Sequence, residues 1–175
     1  MLFSTLEIID TAILIEENGK NFYMETAKTM EPGALKDTLS SLADEEAKHQ
    51  GIFADMTASI KKIELSENEP RENYAGEYLA YLHAFADSHV FTRQNTGVEI
   101  AKSMVSSKRV LEFAVQIELD TVLFYIEMKR FIDSSQWPII DQIIDEERGH
   151  YLKLSNLVNA NKTKTETVID ACNQA

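Results

Sequence analysis

The run Leu39-Ser40-Ser41-Leu42-Ala43-Asp44-Glu45-Glu46-Ala47-Lys48-His49-Gln50-Gly51-Ile52-Phe53 places apolar residues three or four apart, the spacing of one helix face. Extended in both directions, the stripe reads Leu35, Leu39, Leu42, Glu46, His49, Phe53, Met56, Ile60. Only Glu46 and His49 interrupt it. About a hundred residues later the pattern returns as Ile140, Ile143, Glu147, His150, Leu154, Leu157, with Asp44-Glu45-Glu46-x-x-His49 matched by Asp145-Glu146-Glu147-x-x-His150. The preceding segments match as well. Ala12-x-x-x-Glu16 with Phe22-Tyr23 corresponds to Ala114-x-x-x-Glu118 with Phe124-Tyr125. Their stripes are Leu6, Ile9, Ile13, Glu16, Lys20, Tyr23, Ala27, Met30 and Leu111, Val115, Glu118, Val122, Tyr125, Lys129, Ile132. A lone Glu-x-x-His on a helix is usually a solvated face. Two copies in apolar stripes, each with a core-facing Glu on a second helix, point instead to metal.

The chain around these segments is ordinary for a globular protein. Its 175 residues suffice for one well-buried domain, with 44 % hydrophobic and 26 % charged residues. Six Gly and three Pro give little punctuation, which favours long helices over a many-stranded sheet. A formal net charge of -12 argues against nucleic acid or an anionic membrane as partner. No run of 18 apolar residues predicts a membrane span, and Met1-Leu2-Phe3-Ser4-Thr5-Leu6-Glu7 lacks the basic start of a secretory signal. The single cysteine, Cys172, allows neither an internal disulfide nor a Cys-x-x-Cys metal knuckle. A cytoplasmic, reducing location is expected.

The periodicity predicts helices over roughly 4–30, 34–62, 107–132 and 136–159. Glu31-Pro32-Gly33 and Asp133-Ser134-Ser135 break the two pairs, with Ser134 or Ser135 as cap and Pro138 in the first turn. Short connections make each pair antiparallel. A long crossover, about 61–106, lets the two hairpins pack side by side as one four-helix bundle. Within it, Glu64 to Glu72 reads as loop, Tyr74 to Phe91 as a helix outside the bundle, and Thr96 to Met104 as a shorter helix. The expected domain is 1–160, with 161–175 a polar tail, frayed or packed on a partner.

Residues three apart on a helix share a face, so Glu46 can bridge two ions while His49 caps one, and likewise Glu147 and His150. Glu16 and Glu118 approach from the other two helices. Two divalent cations match four carboxylates if both imidazoles are neutral. Without metal, the buried carboxylates would repel one another until some were protonated. Oxygen-rich ligation with one imidazole per ion suits Fe or Mn, with Zn also compatible, and a bridged pair would sit roughly 3.5–4 Å apart. Tyr23 and Tyr125 lie two turns from Glu16 and Glu118, where they either fill core or hydrogen-bond ligating carboxylates.

The order Glu, Tyr seven later, Glu-x-x-His, then the whole set again, resembles the rubrerythrin and wider ferritin-like di-iron family over roughly residues 5–158. The resemblance implies an all-α, ferritin-like bundle with Glu16, Glu46, His49, Glu118, Glu147 and His150 as iron ligands. It implies Tyr23 and Tyr125 as tyrosines behind the ligands, and a homodimer. The implied activities are reduction of hydrogen peroxide and oxidation of ferrous iron, the small oxidant being peroxide or oxygen. Two departures stand out. Full-length rubrerythrins append a four-cysteine rubredoxin domain as electron donor; with only Cys172, this chain would need a separate donor protein. They also carry a further ligand glutamate one turn after the third-helix glutamate, where this chain has Thr121. That places the chain nearer the stand-alone, rubrerythrin-like branch. A di-iron oxidoreductase is the first expectation. A ferroxidase or iron-storage protein and a non-catalytic, metal-stabilised module are the alternatives.

Neighbouring residues have plainer expectations. Glu17, Glu45 and Glu146 point off the stripe and are expected in solvent. His83 and His89, in the crossover, are expected at the surface or on a local carbonyl. Lys20 and Lys129 are expected to extend their amines to water from the stripe ends.

Overall fold

The computed structural model describes residues 5–64, 76–90, 96–104 and 106–173, with backbone only from residue 161 onward. Among these residues there is no strand. Six α-helices run in order: α1 (Thr5–Thr29), α2 (Ala34–Glu64), α3 (Gly76–His89), α4 (Gly97–Ser103), α5 (Ser107–Met128) and α6 (Trp137–Asn173). The molecule is an all-α bundle of two antiparallel hairpins, α1/α2 and α5/α6, joined by a partly helical crossover.

Local chemistry explains the boundaries. The turn after Glu31-Pro32 closes through Gly33 at φ +149°, a region that L side chains rarely adopt. Thr96 and Ser106 cap α4 and α5, their hydroxyls accepting from the Glu99 and Arg109 amides. The second hairpin turns differently from expectation. α5 stops at Met128, Lys129–Phe131 tightens into a 3₁₀ turn, and Asp133, not Ser134 or Ser135, provides the side-chain cap. Asp133 accepts from the Ser135 amide at 2.9 Å, opening a second 3₁₀ turn, Ser134–Gln136, before α6. Pro138 falls in the first turn of α6, where its missing N–H costs nothing. The Trp137 indole donates to the carbonyls of Lys129 and Ile132, tying the turn together.

α6 does not end near residue 159; its backbone stays helical to Asn173. The polar composition of 161–173 hid this continuation, because it removes the apolar stripe and not the helix propensity. Of Cys172 only the backbone is described. The expected loop at Glu64 to Glu72 lies almost wholly outside the described residues, as do Tyr74, Phe91 and the side chains of Tyr78, Leu79 and His83. No helix among the described residues is long and apolar enough to cross a membrane.

Two buried polar residues at matched positions hold the crossover. On α1, Asn18 accepts from the Gly97 amide at 3.1 Å, seating the start of α4 against α1. On α5, the corresponding Asp120 lies 3.7 Å from His89 at the end of α3 and accepts from Gln116 at 2.9 Å. His89 is exposed, as expected, and stacks on Phe85 at 4.8 Å. Leu82 and Ala86 of α3, with Val90 just beyond it, are buried in the same apolar cluster as Ile8 and Phe124.

The interior divides into two apolar clusters. One holds Ile8, Ile9, Ala12, Phe53, Tyr125, Phe131 and Ile140; the other holds Phe22, Tyr23, Leu39, Leu42, Leu111 and Leu154. Glu16, Glu46, His49, Glu118, Glu147 and His150 fill the space between them, each at most 5 % exposed.

Candidate metal centre

All four long helices deliver polar side chains to one point. Glu16 comes from α1, Glu46 and His49 from α2, Glu118 from α5, and Glu147 and His150 from α6. Their oxygen and nitrogen atoms form two overlapping groups: Glu16, Glu46, His49, Glu147, and Glu46, Glu118, Glu147, His150.

Atom by atom, the groups are related by the duplication. His49 Nδ1 lies 3.6 Å from Glu16 Oε2, 3.8 Å from Glu46 Oε2 and 2.9 Å from Glu147 Oε1. His150 Nδ1 lies 3.6 Å from Glu118 Oε2, 3.5 Å from Glu46 Oε1 and 3.1 Å from Glu147 Oε2. Glu46 and Glu147 therefore each give one oxygen to either group. Glu16 and Glu118 serve one group each. Gly19 faces Glu46: a Cβ there would stand in ordinary van der Waals contact, 3.5 Å from the Glu46 carboxyl carbon.

A cation on each side fits this arrangement. Glu16 Oε2, His49 Nδ1 and Glu147 Oε1 are buried and make no hydrogen bond. Such atoms are costly unless something else satisfies them. Two donors at right angles about 2.1 Å from one ion stand about 3 Å apart, close to the 2.9 Å between His49 Nδ1 and Glu147 Oε1. Four carboxylates and two neutral imidazoles balance two divalent ions.

Surrounding residues fix the donors. Tyr23 donates to Glu118 Oε1 and Tyr125 donates to Glu16 Oε1, each tyrosine holding the glutamate of the opposite hairpin and leaving Oε2 for the centre. Burial, followed by the adjacent carboxylates, pushes both phenols above their ordinary range, so they stay protonated donors. The outer nitrogens of the histidines are also held. His49 Nε2 meets Glu146 Oε2 at 2.8 Å, and His150 Nε2 meets Glu45 Oε2 at 2.6 Å. An Nε2–H donated outward leaves the Nδ1 lone pair directed at the centre.

Glu45, half-buried, departs from the solvated position expected of it, whereas Glu146 is exposed, as expected. Each sits at the bundle surface and turns its carboxylate onto the histidine of the other hairpin. Despite partial burial, hydrogen bonds from Lys153, His150 and Ser41 draw Glu45 down to about 2. Gln142 and then His49 lower Glu146. Their repetition just before Glu46 and Glu147 was visible in the sequence, but their partners lie across the bundle. Glu17 is exposed, as expected. Lys20 reaches Gln50 at 2.8 Å, and Lys129 is only half-buried, pairing with Asp141 at 2.6 Å.

The Glu45→Gln and Glu146→Gln variants are expected to weaken divalent-metal binding by roughly 10- to 100-fold while keeping the helical content. A chelator-competition titration reads the loss. Unchanged affinity in both variants would remove these carboxylates from the site.

Charge also links metal binding to pH. Burial, reinforced by Glu46, raises the Glu16 carboxyl; burial and Glu147 raise Glu118. Burial alone would lower both imidazoles, but the carboxylates around them outweigh it and hold His49 and His150 protonated above their usual range. Burial raises Glu46 and Glu147, and Glu46 further raises Glu147, but the close approach of both imidazoles, with Glu16 beside Glu46 and Glu118 beside Glu147, outweighs this and lowers both carboxyls. The metal-free centre therefore stores protons that cations must displace. Affinity should rise with pH and fall on acidification, because raised pKa values mean protons are lost only on metal binding. Calorimetry in buffers of differing ionisation enthalpy should detect proton release; none would contradict this electrostatic picture.

Fold and site together define a ferritin-like helical bundle with a carboxylate–histidine cluster of the dinuclear metal type. The Rubrerythrin family model matches residues 7–105, more than half of the chain. This chain belongs to the rubrerythrin family. A Thermotoga maritima protein assigned to the ferritin-like diiron-carboxylate class is similar in structure, with TM-score 0.65, 26 % identity, and 91 % of this chain and 97 % of that one covered. A hypothetical protein of Pyrococcus furiosus shares the fold at TM-score 0.63 and 18 % identity, over 90 % of this chain and 89 % of its own. No curated protein matches the chain significantly in sequence.

Proposed function

We propose that the chain is a di-iron oxidoreductase that reduces peroxide or oxygen, drawing electrons from a separate donor protein. The observation that carries this reading is the division of Glu46 and Glu147 between two donor groups, each completed by one further glutamate and one histidine. In this reading Glu16, Glu46, His49 and Glu147 hold one iron, and Glu46, Glu118, Glu147 and His150 hold the other. Bound iron would supply one electron per ion, enough with two protons to convert one hydrogen peroxide to two waters.

The chain's own contribution is placement. Tyr23 and Tyr125 fix the terminal glutamates, and Glu45 and Glu146 fix the imidazole tautomers. The two apolar clusters keep bulk water from the centre, which strengthens every charge interaction within it. Thr121, buried on α5 one turn beyond Glu118, supplies a hydroxyl where a further carboxylate would otherwise stand. The carboxylate count stays at four, matched to two divalent ions.

Anaerobic loading with ferrous ion, followed by hydrogen peroxide, tests the proposal. Two irons per chain, one peroxide consumed per pair, and repeated turnover with an added reductant are expected. Fewer than two bound ions, or no peroxide consumption by fully loaded protein, would overturn it. Retention of iron as a mineral in a large shell would assign iron storage instead.

A further inference from the structure

The duplication that builds the metal centre also provides an internal control for the residues just outside it. Superposing Glu46 on Glu147 pairs Glu45 with Glu146, Ser41 with Gln142 and Ile52 with Lys153. The first pair acts alike on both sides, each carboxylate meeting the Nε2 of one histidine, at 2.6 Å for His150 and 2.8 Å for His49. The third pair does not match. Lys153 Nζ reaches both oxygens of Glu45, at 2.9 and 3.1 Å, whereas Ile52, half-buried at the corresponding place on α2, brings no charge to Glu146. Glu146 accepts from the neutral Gln142 amide at 2.9 Å, and among the described residues no lysine or arginine pairs with it.

We propose that Lys153 makes the two metal positions unequal, holding the one built on His150 at lower divalent-ion affinity than the one built on His49. The inequality presupposes the two positions with shared ligands proposed above. A carboxylate behind a ligating imidazole draws on its outer N–H and so makes the inner nitrogen a stronger donor. Glu146 does this with its full negative charge. Glu45 shares its charge with the Lys153 ammonium, which leaves less for His150. The ammonium itself also repels a cation held beyond the ring.

Placement of the carboxylate does not depend on the lysine. Ser41 Oγ donates to Glu45 at 3.0 Å, the counterpart of the Gln142 bond to Glu146. Lys153 therefore adds charge and little else. Lys20, which has Val122 at its matched position, donates to the neutral Gln50 at 2.8 Å and not to Glu146. The Lys153 side chain is 47 % exposed, so water screens part of its field and the expected difference is about 10-fold in affinity. The position built on His150 is then the second to fill and the first to empty, which makes it the exchangeable half of the centre.

Anaerobic calorimetric titration with Mn²⁺ tests this without any redox step. Glu118→Ala takes a donor from the His150 group alone and Glu16→Ala from the His49 group alone, so each variant reports the other position. Glu118→Ala should bind its remaining ion about 10-fold more tightly than Glu16→Ala. Adding Lys153→Met should tighten binding about 10-fold in the Glu16→Ala chain and leave the Glu118→Ala chain unchanged. Lys153→Arg, which keeps the charge, should alter neither. Gln142→Lys, an exposed substitution that sets a cation on Glu146, should weaken binding about 10-fold in Glu118→Ala alone. A general effect on folding would move both backgrounds together; an electrostatic one moves a single background. Equal affinities in the two backgrounds, or a Lys153→Met change that weakens or fails to tighten the His150 position, overturns the proposal while leaving the two-ion centre standing. Fewer than two Mn²⁺ per wild-type chain, measured separately, would overturn both.

Discussion

Glu147→Ala is expected to leave the chain unable to hold two divalent ions at once. Glu147 gives Oε1 to the group around His49, at 2.9 Å, and Oε2 to the group around His150, at 3.1 Å. Removing it takes a donor from both sides and one negative charge from a site at most 5 % exposed. Two divalent ions would then face three carboxylates instead of four in a poorly solvated interior. Leaving a buried charge uncompensated costs about 3–5 kcal/mol, a factor of roughly 10²–10⁴ in affinity. Glu46→Ala should behave the same way, because Glu46 is the other residue shared by both groups. Glu16→Ala and Glu118→Ala should be milder, each weakening one ion, because each belongs to one group. This ranking is the sharp part of the prediction. Elemental analysis of anaerobically loaded protein gives the stoichiometry, and circular dichroism shows whether the bundle survives. Two irons per chain in both Glu46→Ala and Glu147→Ala would refute the shared-ligand assignment.

Gly97→Ala is expected to destabilise the fold more than any other single-methyl addition at a described glycine. A Cβ on Gly97 would lie 2.0 Å from the Asn18 carbonyl oxygen and 2.8 Å from the Phe22 amide nitrogen. Both are backbone atoms of α1 and cannot rotate aside. The α4 start must move away, which breaks the 3.1 Å bond from the Gly97 amide to Asn18 Oδ1 and leaves that buried amide oxygen unmatched. Overpacking of about 1–3 kcal/mol plus a lost buried hydrogen bond of about 1 kcal/mol gives roughly 3 kcal/mol. At 2–4 °C per kcal/mol for a chain this size, Tm should drop by about 10 °C. Gly51 and Gly149, which have nothing within 4 Å of an added Cβ, provide controls. Alanine there should be neutral or slightly stabilising, since both glycines sit inside helices. Thermal melts of the three variants decide the matter. An unchanged Tm in Gly97→Ala would mean that α4 does not pack on α1 as described.

Glu46 and His49 interrupting an otherwise apolar stripe, twice, was enough to place four helices and orient six side chains inward. Periodicity works here because burial is a one-dimensional signal on a helix: a residue's face follows from its number modulo 3.6. The two hairpin breaks were equally readable, because Pro32-Gly33 and Asp133-Ser134-Ser135 act locally. Sequence alone therefore determined the all-α class, the pairing of helices and the donor set that the interior brings together.

The tertiary structure decided the rest. That Tyr23 bonds Glu118 rather than Glu16, that Glu45 holds His150 and Glu146 holds His49, and that Asn18 and Asp120 anchor the crossover are all contacts between the two halves of the chain or with the segment joining them. Apart from the shorter His89–Asp120 contact, each joins residues 79 to 105 positions apart. No local rule links such residues. Their pairing depends on how the hairpins rotate and slide against one another, and packing of whole helix faces sets that geometry, not any single residue.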